Sequence, residues 1–246
     1  MQKSILITGA SSGIGKAVAY EMARKGYAVA LTAPRQHLVD EIGDDIKARY
    51  HPPQLISRAL DVTDHGAVFN TVSEIGDFFG RLDIVFANAG IGLGEKVGKG
   101  DFEKARKTID VNLIGAMATV DAAISLFLAQ GGGHVVGTSS MAALRGFPRS
   151  SSYSASKAGL AIYLEAVRAE CLKKNIDVTV LYPGYIDTPL NQMLPSRPFL
   201  ISVEKGAAII ARLIEKRVKS ACVPAYPWAV LGPLLKILPL RMIAKM

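Results

Sequence analysis

The fold is decided by the stretch SILITGASSGIGK, residues 4–16. Its first five residues form a short apolar run rich in strand formers, and a helical pattern begins at Lys16. The glycines between them suit a pyrophosphate cradle, because Gly9 allows a tight turn, Gly13 lets the backbone approach a diphosphate and Gly15 permits close helix packing. The spacing Gly-x-x-x-Gly-x-Gly differs from the more widespread Gly-x-Gly-x-x-Gly. We predict a dinucleotide-binding turn, although a glycine-rich turn alone is also compatible with an ordinary loop.

Strand and helix patterns alternate along the rest of the chain. Apolar runs predict seven strands, at residues 4–8, 28–32, 55–60, 84–87, 134–138, 177–182 and 221–224. Helical spacing predicts helices at residues 16–25, 35–48, 102–128 and 153–173. This alternation predicts an α/β fold with a mainly parallel sheet.

A second informative stretch is SSMAALRGFPRSSSYSASKAG, residues 139–159. Tyr153 and Lys157 are four residues apart, so on a helix they share one face. A nearby ammonium lowers the pKa of a phenol from about 10, which makes Tyr153 a candidate general acid or base. Ser140 follows the strand predicted at 134–138 and can donate a hydrogen bond to a substrate oxygen. Read alone, a Tyr and a Lys at this spacing more often form a solvated helix face than an active site.

With these motifs the chain resembles the short-chain dehydrogenase/reductase family. The matching residues follow the family's order and approximate spacing from residue 1 to about residue 225, and they are Thr8-Gly9-x-x-x-Gly13-Ile14-Gly15, Asp61-Val62, Asn88-Ala89-Gly90, Asn112, Ser140, Tyr153-x-x-x-Lys157, and Pro183-Gly184 followed by Thr188. The resemblance implies one Rossmann-like, doubly wound domain over residues 1–225, with about seven strands. A nicotinamide cofactor would bind at the carboxyl ends of those strands.

The resemblance implies catalytic roles for Asn112, Ser140, Tyr153 and Lys157. Tyr153 exchanges a proton with the substrate oxygen, Ser140 orients and polarises that oxygen, and Lys157 tunes Tyr153 and holds the nicotinamide ribose. Asn112 distorts a long helix and holds a water linked to Lys157, whereas without the family it is only a tolerated polar residue. The implied reaction is reduction of a carbonyl, or the reverse oxidation of an alcohol, by hydride transfer.

The resemblance also implies the cofactor contacts. Asp61-Val62 lies against the adenine ring, although Asp61 can equally cap the next helix together with Thr63 or Asp64. The Pro183-Gly184 turn closes against the nicotinamide ring, where the next residue and Thr188 bond the carboxamide. The full cofactor set is Gly9, Ser11, Ser12, Gly13, Ile14, Gly15, Arg35, Asp61, Val62, Asn88, Ala89, Gly90, Tyr153, Lys157, Pro183, Gly184, Ile186 and Thr188.

The residues after the second strand discriminate between the two nicotinamide cofactors. A carboxylate there would bond the ribose hydroxyls and repel a 2′-phosphate, whereas an arginine would attract the phosphate. The stretch Thr32-Ala33-Pro34-Arg35 carries no acid, which favours NADP(H) over NAD(H). Similar NADP-binding proteins often carry a basic residue where this chain has Pro34. Arg35 can also be merely an exposed residue at a helix start.

Composition bounds the class of protein. Half of the 246 residues are apolar, which is enough for one large core. Cys171 and Cys222 are the only cysteines, beside four histidines, so we expect neither a disulfide framework nor a metal site, and a cytoplasmic location is the simplest. The first strand begins too early for a signal peptide. The formal charge of +8 comes without a nucleic-acid motif and indicates a generally basic surface. The resemblance implies a homodimer or homotetramer.

Two apolar segments lie outside the motifs. Residues 189–200 occupy the family's substrate-lid position, and their large aliphatic side chains suggest an apolar substrate wall or a simple cover for the core. Residues 226–246, an extension of the same domain, contain Tyr226 and Trp228, many aliphatic residues, three basic residues and no acid. Their prolines argue against a membrane-spanning helix. Packing of this segment over the cleft or against a neighbouring subunit is favoured over contact with an anionic membrane surface. Membrane contact, in turn, would suit a lipid-like substrate.

Two other functions remain open from the sequence. An isomerase or dehydratase can use the same scaffold with a recycled cofactor, but the compact length and the lack of an added substrate domain disfavour it. A nucleotide-binding sensor, or a membrane-associated interaction protein without turnover, is disfavoured by the intact set of Ser140, Tyr153 and Lys157.

Overall fold

The computed structural model describes residues 3–194 and 196–244. The strands are β1 (Ser4–Thr8), β2 (Ala28–Ala33), β3 (Leu55–Ala59), β4 (Ile84–Ala87), β5 (Gly133–Thr138), β6 (Ile176–Pro183) and β7 (Ser220–Val223). The helices are α1 (Gly13–Arg24), α2 (Gln36–Tyr50), α3 (His65–Phe79), α4 (Phe102–Ile109), α5 (Gly115–Gln130), α6 (Ser151–Cys171), α7 (Val203–Glu215), α8 (Ala225–Ile237) and α9 (Leu240–Ile243). Every predicted strand end is found within one residue, whereas α1 begins three residues before the predicted Lys16.

The seven strands form one parallel sheet with the order β3-β2-β1-β4-β5-β6-β7. β1 lies at the turning point of this order, since Ile5 pairs with Val29 of β2 on one side and with Ile84 of β4 on the other. The chain winds outward from β1 in both directions, so the connections leave the carboxyl ends of β1 and β4 on opposite faces and open a crevice there. The prediction of a doubly wound, Rossmann-like fold is confirmed.

Both faces of the sheet are covered by helices, as a buried parallel sheet requires. One core includes Val72 of α3, Phe127 of α5 and Leu164 of α6. The other includes Met22 of α1 and Ile210 of α7. The two layers bury both faces of the sheet.

Residues 102–130 form one helical rod that is interrupted by a π-helical turn, Asp110–Ile114. The expected distortion at Asn112 is therefore present, and π turns often occur at functional sites. The rod is long and apolar enough to cross a membrane. However, Val120, Ala123 and Phe127 are fully buried in the core, as in the core helix of a globular domain.

The C-terminal segment folds back onto the protein. Trp228 and Leu235 of α8 are buried against Met141, and the guanidinium of Arg145 donates to the carbonyl oxygens of Lys236 and Leu238 at 3.2 and 2.8 Å. The opposite face of α8 leaves apolar side chains in solvent, with Tyr226 81%, Val230 61% and Ile237 77% exposed. Of the segments discussed from the sequence, Pro195, Lys245 and Met246 lie outside the described residues.

Candidate active site

A cleft of about 520 Å³ lies at the carboxyl ends of the central strands. Most of the predicted site residues line it, namely Gly9, Ser11, Ser12, Gly13, Ile14, Asp61, Val62, Asn88, Ala89, Gly90, Ser140, Tyr153, Lys157, Pro183, Gly184, Ile186 and Thr188. Gly15, Arg35 and Asn112 are not among the residues that line it. The fold thus brings residues that are far apart in sequence to one crevice, as expected at the turning point of the strand order.

The turn between β1 and α1 has the geometry of an anion cradle. Gly9 has a φ of +68°, and a Cβ built there would lie 2.8 Å from Cα of Ala89, so only glycine fits. A Cβ on Gly15 would lie 2.4 Å from the carbonyl oxygen of Gly9, which explains the close helix packing. Within the described chain, no side chain caps α1 at its N-cap Ser12. The first N–H groups of α1 are therefore available to an anion.

Thr8 joins this turn to β4. Its Oγ1 accepts hydrogen bonds from the backbone N–H groups of Asn88 and Ala89, at 3.0 and 3.1 Å. In return, Nδ2 of Asn88 donates to the carbonyl oxygen of Thr8 at 3.1 Å. The ends of the two central strands are thus held together at the floor of the cleft. The sequence motif contained Thr8 but did not indicate this role.

Asn112 lies fully buried behind the cleft wall. Its Oδ1 accepts from the backbone N–H of Ile91 and its Nδ2 donates to the carbonyl oxygen of Ile91, both at 2.8 Å. A Cβ on Gly90 would lie 3.3 Å from both Asn112 Oδ1 and Lys157 Nζ. The π turn therefore directs Asn112 toward the same point as the ammonium of Lys157.

Lys157 is buried, with 3% of its surface exposed, and its Nζ donates to the carbonyl oxygen of Thr138 at 2.9 Å. Burial disfavours the charged ammonium and lowers the pKa of Lys157 to about 8. The hydroxyl of Ser139 donates to the carbonyl oxygen of Lys157 at 2.8 Å, which fixes α6 against the end of β5.

Tyr153 is half-buried in the cleft wall, one helical turn from Lys157. Burial raises the pKa of its phenol, and interaction with the Ser140 hydroxyl partly opposes the rise. From the sequence, the ammonium of Lys157 was expected to lower this pKa below its usual value. That expectation is wrong for the structure, because Lys157 Nζ stands 5.8 Å from the centre of the Tyr153 ring and desolvation of the phenol dominates.

Ser140 begins a short 3₁₀ turn, Met141–Ala143, and its Oγ accepts from the backbone N–H of Ala142 at 3.1 Å. This bond leaves the hydroxyl hydrogen free to point into the cleft beside Tyr153. Thr138 and Ser139, which precede Ser140, also line the cleft. Their position directly before a recognised residue was the only sequence signal for them.

The cleft wall beside the end of β2 differs from expectation at one residue. Pro34 lines the wall, whereas Arg35 is the exposed N-cap residue of α2. An exposed position at a helix start is compatible with both interpretations of Arg35 given from the sequence. Asp61 accepts hydrogen bonds from Thr63, and Asp64 is the residue that caps α3, by accepting from Ala67 at 3.0 Å. Asp61 therefore remains on the wall without serving as the helix cap.

The segment after β6 supplies the far wall. Ile186 and Thr188 line the cleft, and the Thr188 side chain is 3.4 Å from where a Cβ of Gly13 would be. Tyr185, the residue after Gly184, packs its ring 5.9 Å from that of Trp228 instead. A Cβ on Gly184 would collide with Trp228, so α8 supports this turn directly.

The predicted lid begins on the cleft wall. Pro189, Leu190 and Asn191 line the cleft, whereas Met193 is 94% exposed. Asn191 was not predicted: its Nδ2 donates to the carbonyl oxygen of Ile186 at 2.8 Å, and its buried Oδ1 has no partner among the described residues. Further wall residues that the sequence analysis missed are Ile91, Lys107 and Val111.

Comparisons with known proteins agree with this geometry. The family model for short chain dehydrogenases matches residues 3–198. An uncharacterised oxidoreductase of Mycobacterium tuberculosis is 36% identical over 98% of this chain and 96% of its own. The 11-beta-hydroxysteroid dehydrogenase 1A of Arabidopsis thaliana is 37% identical over 77% of this chain and 54% of the relative. An alcohol dehydrogenase structure from the archaeon Thermococcus sibiricus, complexed with 5-hydroxy-NADP, matches with a TM-score of 0.81 at 27% identity, over 90% of this chain and 96% of that one.

The doubly wound sheet and its cleft define a nucleotide-binding oxidoreductase. The chain belongs to the short-chain dehydrogenase/reductase family. It is accordingly an enzyme of alcohol and carbonyl chemistry that uses NAD(P)(H) and acts on a small molecule.

Proposed function

We propose that the protein reduces a carbonyl group of an apolar, lipid-like substrate with NADPH, or oxidises the corresponding secondary alcohol. Tyr153 is the general acid or base of this reaction. One observation carries the proposal: a single cleft has the Gly9 cradle on one wall and the Tyr153 phenol, the Lys157 ammonium and the Ser140 hydroxyl on another.

The cleft suits a nicotinamide dinucleotide. Its volume is in the range of small-molecule sites, and the β1–α1 turn offers free N–H groups to a diphosphate. When bound, the nicotinamide supplies or accepts the hydride. The adenine would lie against Asp61 and Val62, the nicotinamide ribose against Lys157, and the carboxamide against the segment Ile186–Thr188. The unpartnered, buried Oδ1 of Asn191 offers a further acceptor on that wall.

In the reductive direction, the hydroxyl of Tyr153 gives its proton to the carbonyl oxygen. Burial raises the pKa of Tyr153, so the phenol is protonated at neutral pH and ready to act as an acid. Ser140 donates a hydrogen bond to the same oxygen and orients it. The ammonium of Lys157 stabilises the phenolate that forms, and Asn112, which faces the same point beside Gly90, holds the water that returns the proton.

The preference for NADP(H) rests on charge. Residues 32–35 contain no acid to repel a 2′-phosphate, and Arg35 is the N-cap residue of α2, directly after these residues, with no side-chain hydrogen bond to that helix. Arg35 lies at the surface, from where a long side chain can reach a phosphate without being part of the wall. The Thermococcus sibiricus enzyme with its bound 5-hydroxy-NADP gives a precedent in a similar fold.

The apolar character of the substrate rests on the lid. Cδ2 of Leu190 and Cδ2 of Tyr153 each lie 3.7 Å from the Cβ position of Gly92, so an aliphatic side chain and the Tyr153 ring flank the same point of the loop. Leu194 and Phe199 of the same segment are also exposed apolar side chains, and the Phe199 ring lies 5.9 Å from that of Trp228. The Arabidopsis thaliana relative is named for a hydroxysteroid, an apolar secondary alcohol. A substrate of that chemical class suits this wall.

We further propose that residues 1–225 form the catalytic domain and residues 226–246 an extension of it, in a cytoplasmic homodimer or homotetramer.

The buried Trp228 supports packing of the extension over the site, as favoured from the sequence. The exposed stripe of Tyr226, Val230 and Ile237, with basic Lys236 beside it, also suits peripheral contact with an anionic membrane surface. Sedimentation with vesicles containing phosphatidylglycerol tests this contact, and equal sedimentation of Ile237→Glu and wild type would reject it.

A substrate screen tests the proposed function. Oxidation of NADPH and of NADH is followed with a panel of aldehydes, ketones and keto-lipids. We expect turnover with NADPH and an apolar ketone. Tight binding of NADPH without consumption on any member of the panel would favour the nucleotide-sensor alternative.

A further inference from the structure

Glu95 is a buried carboxylate in the loop between β4 and α4, outside the recognised motifs. Only 5% of its surface is exposed. Its Oε1 accepts a hydrogen bond from the hydroxyl of Ser151 at 2.7 Å and from the backbone N–H of Ser152 at 2.5 Å. Burial by itself would raise the pKa of Glu95, but the hydrogen bonds from Ser152 and Ser151 outweigh it and hold the pKa below its usual value. The side chain is therefore an ionised carboxylate.

The two serines are the first residues of α6, the helix that carries Tyr153 and Lys157. Within the described chain, the N-cap Ser150 provides α6 with no side-chain hydrogen bond. Glu95 takes over this task from a distant loop, and a negative charge at a helix N-terminus is favourable. Glu95 Oε2 and Ser152 Oγ are both buried and unpartnered among the described residues, so a rotation of the hydroxyl can complete a third bond.

The loop is shaped to deliver this carboxylate. Gly94 has a φ of +63°, a conformation that favours glycine, and it turns the chain so that the backbone N–H of Glu95 donates to the carbonyl oxygen of Arg149 at 3.1 Å. Two residues earlier, the Cβ position of Gly92 lies 3.7 Å from Cδ2 of Tyr153. The same loop thus contacts both the start of α6 and the ring of the reactive tyrosine.

We propose that Glu95 is a positioning residue of the active site. By capping α6 from the β4–α4 loop, it fixes the first turn of that helix and so the direction of the Tyr153 phenol. Among the described residues, Glu95 has no hydrogen bond to the cradle at Gly9 or to the Ile186–Thr188 segment, and of the proposed cofactor contacts only Tyr153 and Lys157 lie on α6. Its effect should therefore fall mainly on turnover and only slightly on cofactor affinity. The inference rests on the proposed role of Tyr153.

The test uses Glu95→Ala and Glu95→Gln in the full chain, with Glu103→Ala as the matched control. Glu103 is an exposed carboxylate in the first turn of α4 that pairs with Arg106. In Glu95→Ala we expect kcat to fall at least tenfold while Kd for NADPH stays within twofold of wild type. Glu95→Gln retains an acceptor oxygen, so it should recover most of the lost kcat, and Glu103→Ala should behave as wild type.

Amide hydrogen exchange of residues 151–157 gives a readout that does not depend on turnover. Loss of a helix cap should accelerate exchange there by about fivefold to tenfold in Glu95→Ala, without a change around Gly9. Glu95→Ala that retains kcat within twofold of wild type would overturn the proposal, as would a fall in kcat with unchanged exchange in α6. If Glu95→Ala does not fold, a kcat of Glu95→Gln below one-twentieth of wild type would equally overturn it, because the amide preserves the cap. If the wild-type protein turns over no substrate while exchange is still accelerated in Glu95→Ala, the proposed function is refuted. The capping of α6 by Glu95 is then still supported.

Discussion

At the scale of single residues, the buried charge of Lys157 lowers the free energy of unfolding of the protein. Its ammonium is buried and donates to one carbonyl oxygen, that of Thr138. Burial lowers the pKa of Lys157 from 10.5 to about 8, so between those values the unfolded chain binds more protons than the folded protein. Stability therefore rises with pH across that range, and at pH 7 the buried charge costs about 3 kcal/mol.

Replacing Lys157 with Met should separate stability from activity. Because the apolar side chain removes the buried charge, we expect the free energy of unfolding at pH 7 to rise by about 1–3 kcal/mol. Turnover should fall at least about a hundredfold, since the phenolate loses its cation. Urea unfolding and steady-state kinetics measure the two effects. The exposed Lys205→Met serves as control, and a less stable Lys157→Met protein would contradict this explanation.

His134 is a second buried base, but unlike Lys157 it is neutral at pH 7. Its Nε2 lies 2.9 Å from Oγ1 of Thr179, whose hydroxyl donates to the carbonyl oxygen of Val218. Nε2 must therefore carry a hydrogen. Burial, assisted by the charge of Arg217, lowers the pKa of His134 from 6.5 to about 4. The imidazole thus serves the core and takes no part in the chemistry of the cleft.

The pH dependence of stability follows from that lowered pKa. Between pH 6.5 and 4 the unfolded chain binds a proton that the folded protein does not, so stability falls as the pH decreases through this range, by about 3 kcal/mol. Unfolding in urea at pH 7.0 and pH 4.5 measures the loss. His134→Gln should show a distinctly smaller difference between the two pH values, and an unchanged difference would show that other groups cause it.

At the scale of elements, the β1–α1 turn couples the fold to the cofactor. Gly9 adopts a positive φ and also touches Ala89 of the neighbouring strand end. Gly26, at the turn between α1 and β2, has a positive φ of +82° but nothing within 4 Å of its Cβ position. A comparison of substitutions at the two glycines therefore distinguishes the effect of backbone strain from the effect of a steric clash with Ala89.

Gly9→Ala and Gly26→Ala should differ in their effect on cofactor binding. Both substitutions incur the left-handed strain, about 1 kcal/mol, but only Gly9→Ala must also displace the Asn88–Gly90 segment. We expect Gly9→Ala to weaken NADPH binding at least tenfold and Gly26→Ala to leave Kd unchanged. Fluorescence titration of NADPH gives both constants, and equal constants for the two variants would argue against the cradle.

At the scale of the whole molecule, the strand order places the site at the carboxyl ends of the central strands. The same order made the location of the site predictable from the sequence. Gly9 and the Tyr153–Lys157 pair were recognisable because local spacing carries their signal, and the alternating pattern placed them at the same edge of a parallel sheet. Asn191 gave no such signal, because its bond to Ile186, only five residues away, depends on the irregular backbone after β6, which no periodic pattern predicts. Glu95 gave none because its partner Ser152 is 57 residues away and only tertiary folding brings the two together. The direction of the Tyr153 pKa shift was mispredicted for the same reason, since desolvation depends on packing.

Cofactor preference should appear in the stability of the whole protein. A ligand that binds only the folded state at a hundred times its Kd stabilises it by about 2.7 kcal/mol. At equal concentration we therefore expect NADPH to raise Tm by more than NADH does, and Arg35→Ala to remove most of that difference. Thermal unfolding with each cofactor measures it. A larger rise with NADH in the wild type would assign the opposite preference.

The central claim is that the phenol of Tyr153 transfers the proton, and Tyr153→Phe tests it most directly because a single oxygen atom is removed. The measurement is single-turnover oxidation of NADPH by wild type and variant on a ketone that the wild type accepts, with Kd for NADPH determined alongside. We predict a rate reduced about 10²- to 10⁴-fold, with Kd within threefold of wild type. Oxidation by the variant at a rate near that of the wild type would contradict the account.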